Sequence, residues 1–355
     1  MKRVHTIKEI AQLAGVSRGT VDRVLNNRGA VNPETSKKVL AIMKALNYTP
    51  NLAGKTLAAK KKQLKFGYIL FSSTADNPFF LDMMRGIEGQ IETLREYGAS
   101  VVMRYASIDD PQRQVALIDE LLAEGINGLA ITPINHPMVV ERLKELTKSG
   151  FPVVTTNSDI PDCGRLAYVG SNYYKSGETA AGLMNLICTS NSGETHVGII
   201  LGSPLVHCHS QRVQGFQERV SAVYPHINIV GLAVNNDNDL DSYSVTRTML
   251  KAHPEINALY LAAAGVQGAC RAVADFDMTD KLRILCYDAT ESHRKLITSG
   301  AIAAAITQQP YTQGAKPLEI LLDYAGMNVA PEREFFYTKI GIKIRENLET
   351  WADGG

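Results

Sequence analysis

After residue 65, short apolar runs alternate with longer segments whose apolar residues recur three and four positions apart. The short runs predict buried strands, and the longer segments predict amphipathic helices. Predicted strands are 66–71, 100–105, 128–132, 153–156, 166–169, 197–201, 227–233, 258–261, 283–287 and 302–306. Continuously apolar strands that alternate with helices indicate parallel sheets covered on both faces. Because about ten such units exceed one compact sheet, we expect an α/β body of two parallel-sheet subdomains.

The first fifty residues show a different pattern, which predicts three short helices. Thr6 and Glu9 form a capping box before the first helix, and Gly15 ends it. Ser17 caps a second helix over 18–25, and Asn32 caps a third that begins at Pro33. The expected buried stripe of the third helix is Val39, Leu40, Met43 and Leu46. We therefore predict an all-α, helix-turn-helix head.

Charge is distributed unevenly between the two regions. Residues 1–65 contain 14 Lys/Arg and 3 Asp/Glu, whereas the whole chain contains 37 and 36. A basic head neutralises phosphates, and its outward second helix carries Arg and Asp, which bond base edges. Any small three-helix domain needs the apolar pattern for packing, but packing does not explain the charge.

Other classes of protein lack support in the sequence. There is no apolar run of membrane-spanning length and no secretory signal pattern, and the five cysteines are scattered. We therefore expect reduced thiols in a cytoplasmic protein. No dinucleotide-binding, P-loop or nucleophile-elbow motif occurs, so we expect neither an enzyme nor a cofactor. His207 and His209 lack further paired ligands, so we expect no metal site.

The head resembles the lac-repressor family of bacterial transcription regulators. The resemblance rests on the motifs at 6–11, 14–17, 20–21, 23–26 and 46–51, which match without a gap. It implies that Arg18 and Gly19 read bases of double-stranded operator DNA. Asp22 departs from the usual Ser, and it either reads a base or pairs with Arg18. The implied DNA contacts in this region are Thr6, Ser17, Arg18, Gly19, Thr20, Asp22, Arg23 and Asn26.

Residues 51–59 resemble the hinge helix of the same family, which orders on DNA. The resemblance implies DNA contacts by Asn51, Lys55 and Leu57, with Leu57 as the wedge that enters the minor groove. An ordinary linker is the alternative interpretation of this segment. Gly54 replaces the commoner alanine and costs about 0.8–1 kcal/mol of helix stability, so the hinge should be weakly helical without DNA.

The body resembles the type I periplasmic sugar-binding proteins, especially their ribose-binding branch. Ligands of such sheets bind beyond the carboxyl ends of strands. Asn157, Ser158 and Ala262 depart from the residues of ribose binders, so we expect a different sugar, a polyol or a sugar acid. The expected effector-binding residues are Asn77, Phe79, Phe80, Asn157, Asp159, His207, Arg212, Ala262, Asp288 and Gln308.

These observations predict a cytoplasmic transcription regulator, most simply a repressor, controlled by a small effector. The tail lacks apolar heptads, so we expect a homodimer without a coiled coil. Induction and co-repression both fit, and the alternatives are a solute-binding protein for transport and a sugar-modifying enzyme with an added DNA domain. The expected division is head 1–50, hinge and linker 51–65, effector domain 66–345 and tail 346–355. Within the effector domain, the N-subdomain is about 66–170 with 310–330, and the C-subdomain is about 171–307 with 331–345.

Overall fold

The computed structural model describes residues 7–25, 31–46, 60, 62–72, 78–188 and 193–348. Three helices form the head around a small core that includes Ile10 and Val39. Their bounds are α1 (Ile7–Ala14), α2 (Arg18–Leu25) and α3 (Pro33–Ala45). The expected buried position of Leu40 is wrong: its surface is 52% exposed, because Ile42 and Met43 pack against the core instead.

Gly15, Ser17 and Asn32 act at the helix ends as the sequence predicts, whereas Thr6 of the predicted capping box lies outside the described residues. Gly15 takes a left-handed conformation with φ of +69°, and the amide of Val16 closes the end of α1 on the carbonyl of Ala11 at 3.0 Å. Ser17 Oγ accepts the amide of Thr20 at 3.0 Å and so caps α2. Asn32 Oδ1 accepts the amide of Glu34 at 2.9 Å at the start of α3.

The body consists of strands that alternate with helices. Residues 65–170 form β1 (Lys65–Phe71), α4 (Phe79–Glu96), β2 (Ser100–Ala106), α5 (Pro111–Ala123), β3 (Gly128–Ile131), α6 (Pro137–Lys148), β4 (Val153–Thr156) and β5 (Ala167–Gly170). Residues 173–307 form α7 (Tyr173–Cys188), β6 (Thr195–Leu201), α8 (His207–Val223), β7 (Ile227–Val234), α9 (Asp239–Ala252), β8 (Ala258–Leu261), α10 (Val266–Asp275), β9 (Arg283–Tyr287), α11 (Glu291–Ser299) and β10 (Ala304–Thr307). Next come α12 (Pro310–Leu321), a π-helical turn (Leu322–Gly326), β11 (Phe335–Tyr337) and β12 (Gly341–Lys343). All ten predicted strands are present.

Two six-stranded sheets define two subdomains. The first sheet has the order β11-β5-β4-β3-β1-β2, and the second has the order β12-β10-β9-β8-β6-β7. The strands pair in parallel, apart from β12, which pairs antiparallel with β10. Helices cover both sheets, and strands such as β3 and β8 are therefore buried along their whole length. We call the units built on these sheets the first and second subdomains.

The assignment of residues 331–345 to the second subdomain is wrong in part. Strand β11 pairs with β5 in the first sheet, and only β12 joins the second sheet. Both strands are three residues long and partly exposed, so their sequence carries a weak apolar pattern. The chain thus passes from the first sheet to the second after β5, returns after β10, and enters the second sheet again after β11.

Glycines allow two pairs of helices to cross closely, one pair in each subdomain. In the first subdomain, a methyl group on Gly86 of α4 would overlap the carbonyl oxygen of Tyr311 in α12. A methyl group on Gly314 would overlap the carbonyl oxygen of Met83. In the second subdomain, α7 and α8 cross in the same way, through Gly177 and Gly215. No helix in the described ranges is both long and apolar enough to span a bilayer.

Candidate functional site

A cavity that is partly open to solvent lies between the subdomains, beyond the carboxyl ends of their strands. We call it the cleft cavity. Phe79 and Phe80 at the start of α4 and Asn157 after β4 line its first-subdomain side. The polar and charged residues on its second-subdomain side include His209, Arg212, Asp237, Asp288, His293 and Gln308. The cavity therefore has an aromatic wall opposite a wall rich in hydrogen-bonding groups.

Arg212 is the central cation of the polar wall. It is buried, and its guanidinium donates to the carbonyl of Ala262 and to Gln308 Oε1, both at 2.8 Å. The guanidinium carbon lies 3.7 Å from the centre of the Tyr287 ring. In the described part of the chain, Arg212 Nε is buried without a hydrogen-bond partner. Because a buried donor left unpaired costs free energy, a ligand oxygen is a suitable acceptor for it.

Asp288 provides a carboxylate beside this arginine. Its Oδ2 accepts a hydrogen bond of 2.8 Å from Gln308 Nε2. Burial raises the pKa of Asp288 to about 6, although Arg212 and the Gln308 hydrogen bond oppose the rise. Near neutral pH, the wall thus holds a weakly solvated carboxylate that can accept a ligand hydroxyl.

Three polar residues of the cleft turn the backbone sharply after their strands. Asn157, Asp237 and Asp288 have left-handed φ angles of 61°, 59° and 61°. Asn and Asp tolerate this conformation better than other residues with side chains. The turns place all three side chains on the cavity wall, and they explain why these positions carry Asn or Asp.

A second charged pair, His209 and Asp237, lies further along the polar wall. His209 Nε2 is 3.7 Å from Asp237 Oδ1, and its Nδ1 is 3.2 Å from the carbonyl oxygen of Ser203. Burial opposes a charge on this imidazole, but the Asp237 carboxylate and Cys208 together outweigh burial and raise the pKa of His209 to about 9. The imidazole is therefore charged at neutral pH.

His293, unlike His209, is uncharged at neutral pH. Its Nδ1 lies 2.7 Å from the carbonyl oxygen of Asp288, so Nδ1 carries the proton of this hydrogen bond. Burial lowers the pKa of His293, and the ring is neutral near pH 7. Its Nε2 then remains as an acceptor on the cavity wall.

Gln313 joins the two sides of the cleft. This fully buried side chain accepts from Asn157 Nδ2 at 3.2 Å and donates to the carbonyl of Gln308 at 2.7 Å. Thr156 Oγ1 also donates to the Gln313 carbonyl at 2.8 Å. The first turn of α12 thus fixes Asn157 of one subdomain relative to Gln308, which follows β10 of the other.

The structure divides the ten expected effector residues into groups. Ala262 contributes its carbonyl to Arg212. Asp159 and His207 line a second cavity nearer the chain crossings, and Asn77 lies outside the described residues. Six residues line the cleft cavity: Phe79, Phe80, Asn157, Arg212, Asp288 and Gln308.

Asp159 differs from its expected role because an ion pair occupies its carboxylate. Arg165 donates to Asp159 through Nε at 2.6 Å and Nη2 at 2.7 Å, and Thr155 Oγ1 donates at 2.6 Å. Arg165 also donates to Glu334 at 2.7 Å. This network links the ends of β4 and β5 and the segment before β11, and it holds the Asp159 carboxylate at the second cavity.

The expected effector residues did not include His209, Asp237, His293 or Gln313. Asp237 follows β7 within Asn235-Asn236-Asp237-Asn238, a polar strand end that could have been included by the same rule as Asp288. His293 lies on a helix one turn beyond Asp288, and Gln313 lies on α12. Neither position has a local sequence signal, since only the tertiary fold brings it to the cleft.

In the head, α2 presents several expected DNA contacts to solvent. Ser17, Arg18, Gly19 and Arg23 are exposed, and Thr20 is half-buried. Arg23 Nε donates to the carbonyl of Gly19 at 3.2 Å, so its guanidinium lies along the start of α2. The expected contacts outside the described residues are Thr6, Asn26, Asn51, Lys55, Leu57 and the side chain of Asp22.

Comparisons with known proteins identify both parts of the chain. Residues 6–51 match the model of the lacI family of bacterial regulatory proteins, and residues 67–328 match that of a periplasmic binding protein domain. The transcriptional regulator DegA of Bacillus subtilis is 25% identical over 321 residues, which cover 88% of this chain and 87% of DegA. The ribose operon repressor of Halalkalibacterium halodurans is 26% identical over 326 residues, or 89% of each chain.

The body also matches solved structures. GanP, a glucose-galactose binding protein from Geobacillus stearothermophilus, superposes with a TM-score of 0.72 at 24% identity, over 80% of this chain and 98% of GanP. At this identity the match establishes the fold of the two subdomains. Residues 67–328, most of the chain, thus belong to the periplasmic binding protein domain family, and residues 6–51 form a head of the lacI family of bacterial regulatory proteins.

Proposed function

We propose that this protein is a transcription repressor that binds operator DNA through its head and a small sugar-like effector in its cleft. The observation that carries the proposal is the presence in one chain of a basic helix-turn-helix head and a polar interdomain cavity. Relatives that match both parts are named as transcriptional regulators and operon repressors. The effector alters operator affinity, and operator binding must alter effector affinity by the same factor.

Operator recognition is assigned to α2. Its exposed start carries Arg18, and an arginine bonds guanine through two parallel hydrogen bonds. The positive charge concentrated in residues 1–65 supplies attraction to phosphates that does not depend on base sequence. We further propose that two copies act as a homodimer in the cytoplasm, because a two-fold pair of heads suits two operator half-sites.

The cleft favours a neutral, hydroxyl-rich effector. Its two cationic side chains, Arg212 and His209, face two carboxylates, Asp288 and Asp237. The formal charges therefore balance within the wall, which favours a neutral ligand over an anionic one. A neutral sugar or polyol supplies hydroxyls to Arg212 Nε and Asp288, and it presents an apolar face to Phe79 and Phe80.

Two helices connect the cleft with the linker to the head. Helix α4 begins at the cleft with Phe79 and ends near Gly98, against which the backbone of Lys60 lies. Helix α12 begins beside Gln308, and the π-helical turn after it offers the carbonyl of Ala325 to Lys62 Nζ at 2.7 Å. We infer that closure of the cleft moves both helix ends and thereby repositions the linker.

The proposal is tested with DNA selected from a random pool by the full chain, followed by fluorescence anisotropy. We expect Arg18→Ala to cost about 1–3 kcal/mol on the selected site and to relax base preference. Arg85→Ala is the control, because that exposed arginine pairs with Asp82 on the body. Equal weakening by Arg18→Ala on all sequences would remove the base-reading role.

Deletion of residues 1–60 tests the proposed division of the chain. The deletion should abolish operator binding and preserve effector binding. Loss of both activities would overturn that division. Operator binding that responds to no sugar or polyol, combined with uptake of a labelled sugar by cells, would favour the transport alternative. Recovery of the bound sugar unchanged after incubation is expected of a regulator, whereas turnover would favour an enzyme.

A further inference from the structure

His209 and Asp237 form a charged pair in the wall of the cleft cavity, and the family resemblance assigns no role to either residue. Both are buried, with 8% of the side-chain surface exposed in each case. His209 lies on α8, one turn before Arg212, whereas Asp237 follows β7. Two elements of the second subdomain thus bring a cation and an anion together beside the unpaired Nε of Arg212.

The surrounding backbone fixes the Asp237 carboxylate. Its Oδ2 accepts the amide of Ser203 at 3.3 Å, and its Oδ1 accepts the amide of Ala264 at 3.2 Å. The carboxylate also lies directly against Gly202, because a methyl group on that glycine would be 2.3 Å from Oδ2. The segments after β6 and β8 therefore hold this carboxylate in place through contacts that do not involve His209.

The imidazole of His209 is oriented by the same segment. Its Nδ1 lies 3.2 Å from the carbonyl oxygen of Ser203 and can donate a proton to it. Because the pKa of His209 is raised to about 9, the ring is charged at neutral pH and Nε2 carries a proton as well. This second N–H lies beside Oδ1 of Asp237.

The distance between the two charged groups indicates what they can bind. Nε2 and Oδ1 are 3.7 Å apart, which exceeds the ordinary range of a hydrogen bond. Two hydrogen bonds of about 2.8 Å that meet at one oxygen atom can span this distance. A hydroxyl fits, since its oxygen accepts from Nε2 and its proton is donated to Oδ1. An ether oxygen lacks that proton, and the Asp237 carboxylate repels an anionic group.

We propose that His209 and Asp237 are specificity-determining residues that bind one hydroxyl of the effector, with His209 as the donor and Asp237 as the acceptor. The effector class is then a neutral sugar or polyol with a free hydroxyl at that position. A deoxy or ether analogue is rejected, because it leaves one or both of the buried groups unpaired. This contact rests on the proposed function, since the hydroxyl belongs to the effector proposed for the cleft.

The test is isothermal titration of the full chain with myo-inositol, D-glucose, D-galactose, D-allose and D-arabinose. The monodeoxy and mono-O-methyl analogues of the compound that binds most tightly are then titrated in turn. We expect one hydroxyl whose removal or methylation weakens binding by about tenfold to a hundredfold, as the loss of hydrogen bonds to charged groups does. His209→Leu and Asp237→Asn should each shrink that particular loss and leave the losses at the other hydroxyls unchanged.

The two variants are chosen so that the fold is preserved. The Asp237 carboxylate keeps its two amide donors in His209→Leu, and asparagine tolerates the left-handed φ of residue 237. Ser210→Ala is the matched control on α8, because Ser210 is exposed and its Oγ donates only to the carbonyl of His207. A cooperative thermal unfolding transition verifies that each variant is folded.

The possible results separate this contact from the proposed function. If His209→Leu and Asp237→Asn weakened the binding of every analogue by the same factor, the pair would only maintain the cleft wall, and the hydroxyl contact would be overturned. Tight binding of a compound that tolerates the change of each single hydroxyl would overturn it too. Failure of every compound to bind would instead overturn the neutral sugar-like effector itself, and the hydroxyl contact with it.

Discussion

Gly86 and Gly314 lie opposite each other where α4 and α12 cross, and each contacts the carbonyl oxygen three residues before the other. The backbones of two helices that both begin at the cleft are thereby in direct contact. A side chain at either position would separate them, because the obstructing atoms belong to rigid helical backbone.

Gly86→Ala should therefore destabilise the protein by about 1–3 kcal/mol, the usual cost of overpacking, even though alanine favours helix formation. Chemical denaturation measures the change in the free energy of unfolding. Gly89→Ala is the control on the same helix, because its methyl group would meet only the hydroxyl end of Tyr311, which can move away. Equal stability of the two variants would show that the crossing tolerates separation.

Removal of one partner from the buried Asp159–Arg165 pair should be costly. Asp159→Ala leaves the buried guanidinium with only the more exposed Glu334 as an ionic partner, and we expect a loss of about 1.5–3 kcal/mol in the free energy of unfolding, the usual cost of hydrogen bonds to a charged group. The double variant Asp159→Leu/Arg165→Met, which removes both charges, should recover most of that loss. If Asp159→Ala weakened effector binding without changing the unfolding midpoint, Asp159 would be a ligand contact instead.

Asp288→Asn should raise the stability of the protein and lower its affinity for the effector. The pKa of Asp288 is raised in the folded state, so the native protein binds the proton more tightly than the unfolded chain does. The stabilising contribution of the protonated acid is present below pH 4 and is lost as the pH rises through about 6. At pH 7.5 the substitution should stabilise the fold by about 1–3 kcal/mol, and the gain should shrink towards pH 5.

Thermal unfolding at these two pH values, together with effector titration, checks this prediction. The amide lacks the charge of the carboxylate, so effector affinity should fall as stability rises. A control variant must leave other contacts intact. Gln309→Ala does not, because Gln309 Oε1 accepts a hydrogen bond from the Lys339 amide. Asp280→Asn is a better one, because it removes an exposed carboxylate of the same subdomain that does not line the cleft cavity. A pH-independent gain would exclude burial of the Asp288 charge as its cause.

His209 makes stability depend on pH in a higher range. Its pKa rises from 6.5 to about 9 on folding, so the stability from its charge is fully present below pH 6.5 and is lost as the pH rises through about 9. The wild-type free energy of unfolding should thus decline by up to about 3 kcal/mol between pH 6.5 and pH 9.5. His209→Gln should flatten this decline in denaturation curves, whereas substitution of the surface histidine, His253→Gln, should not.

Local rules were sufficient to predict the head and the strands of the body. Ser17, Gly15 and Asn32 cap helices because their own side chains or φ angles satisfy the helix ends. Arg212, Asp288 and Gln308 were found from the rule that ligands meet strand ends, together with the family resemblance. These features depend on residues that are neighbours in the sequence or on a resemblance that covers most of the body.

Features that depend on distant partners could not be predicted in this way. Whether Asp159 faces a ligand or Arg165 is decided by the folded positions of β4 and β5, and the sequence alone allows both. Gln313 reaches the cleft only because α12 packs beside β4. The strand β11 is too short to reveal its neighbour, so its sheet could be identified only from the structure.

The interleaved path of the chain has a consequence for its synthesis. Strands β11 and β12 form an edge of the first and the second sheet respectively, and both come from residues 335–343. A nascent chain can assemble the rest of the first sheet once residue 170 is made, but its outer strand arrives only after the whole second subdomain has been translated. Domains generally fold in the order in which the ribosome releases them. Here the head leaves the ribosome long before the cleft is complete, so a translation intermediate that already carries the head lacks the finished cleft.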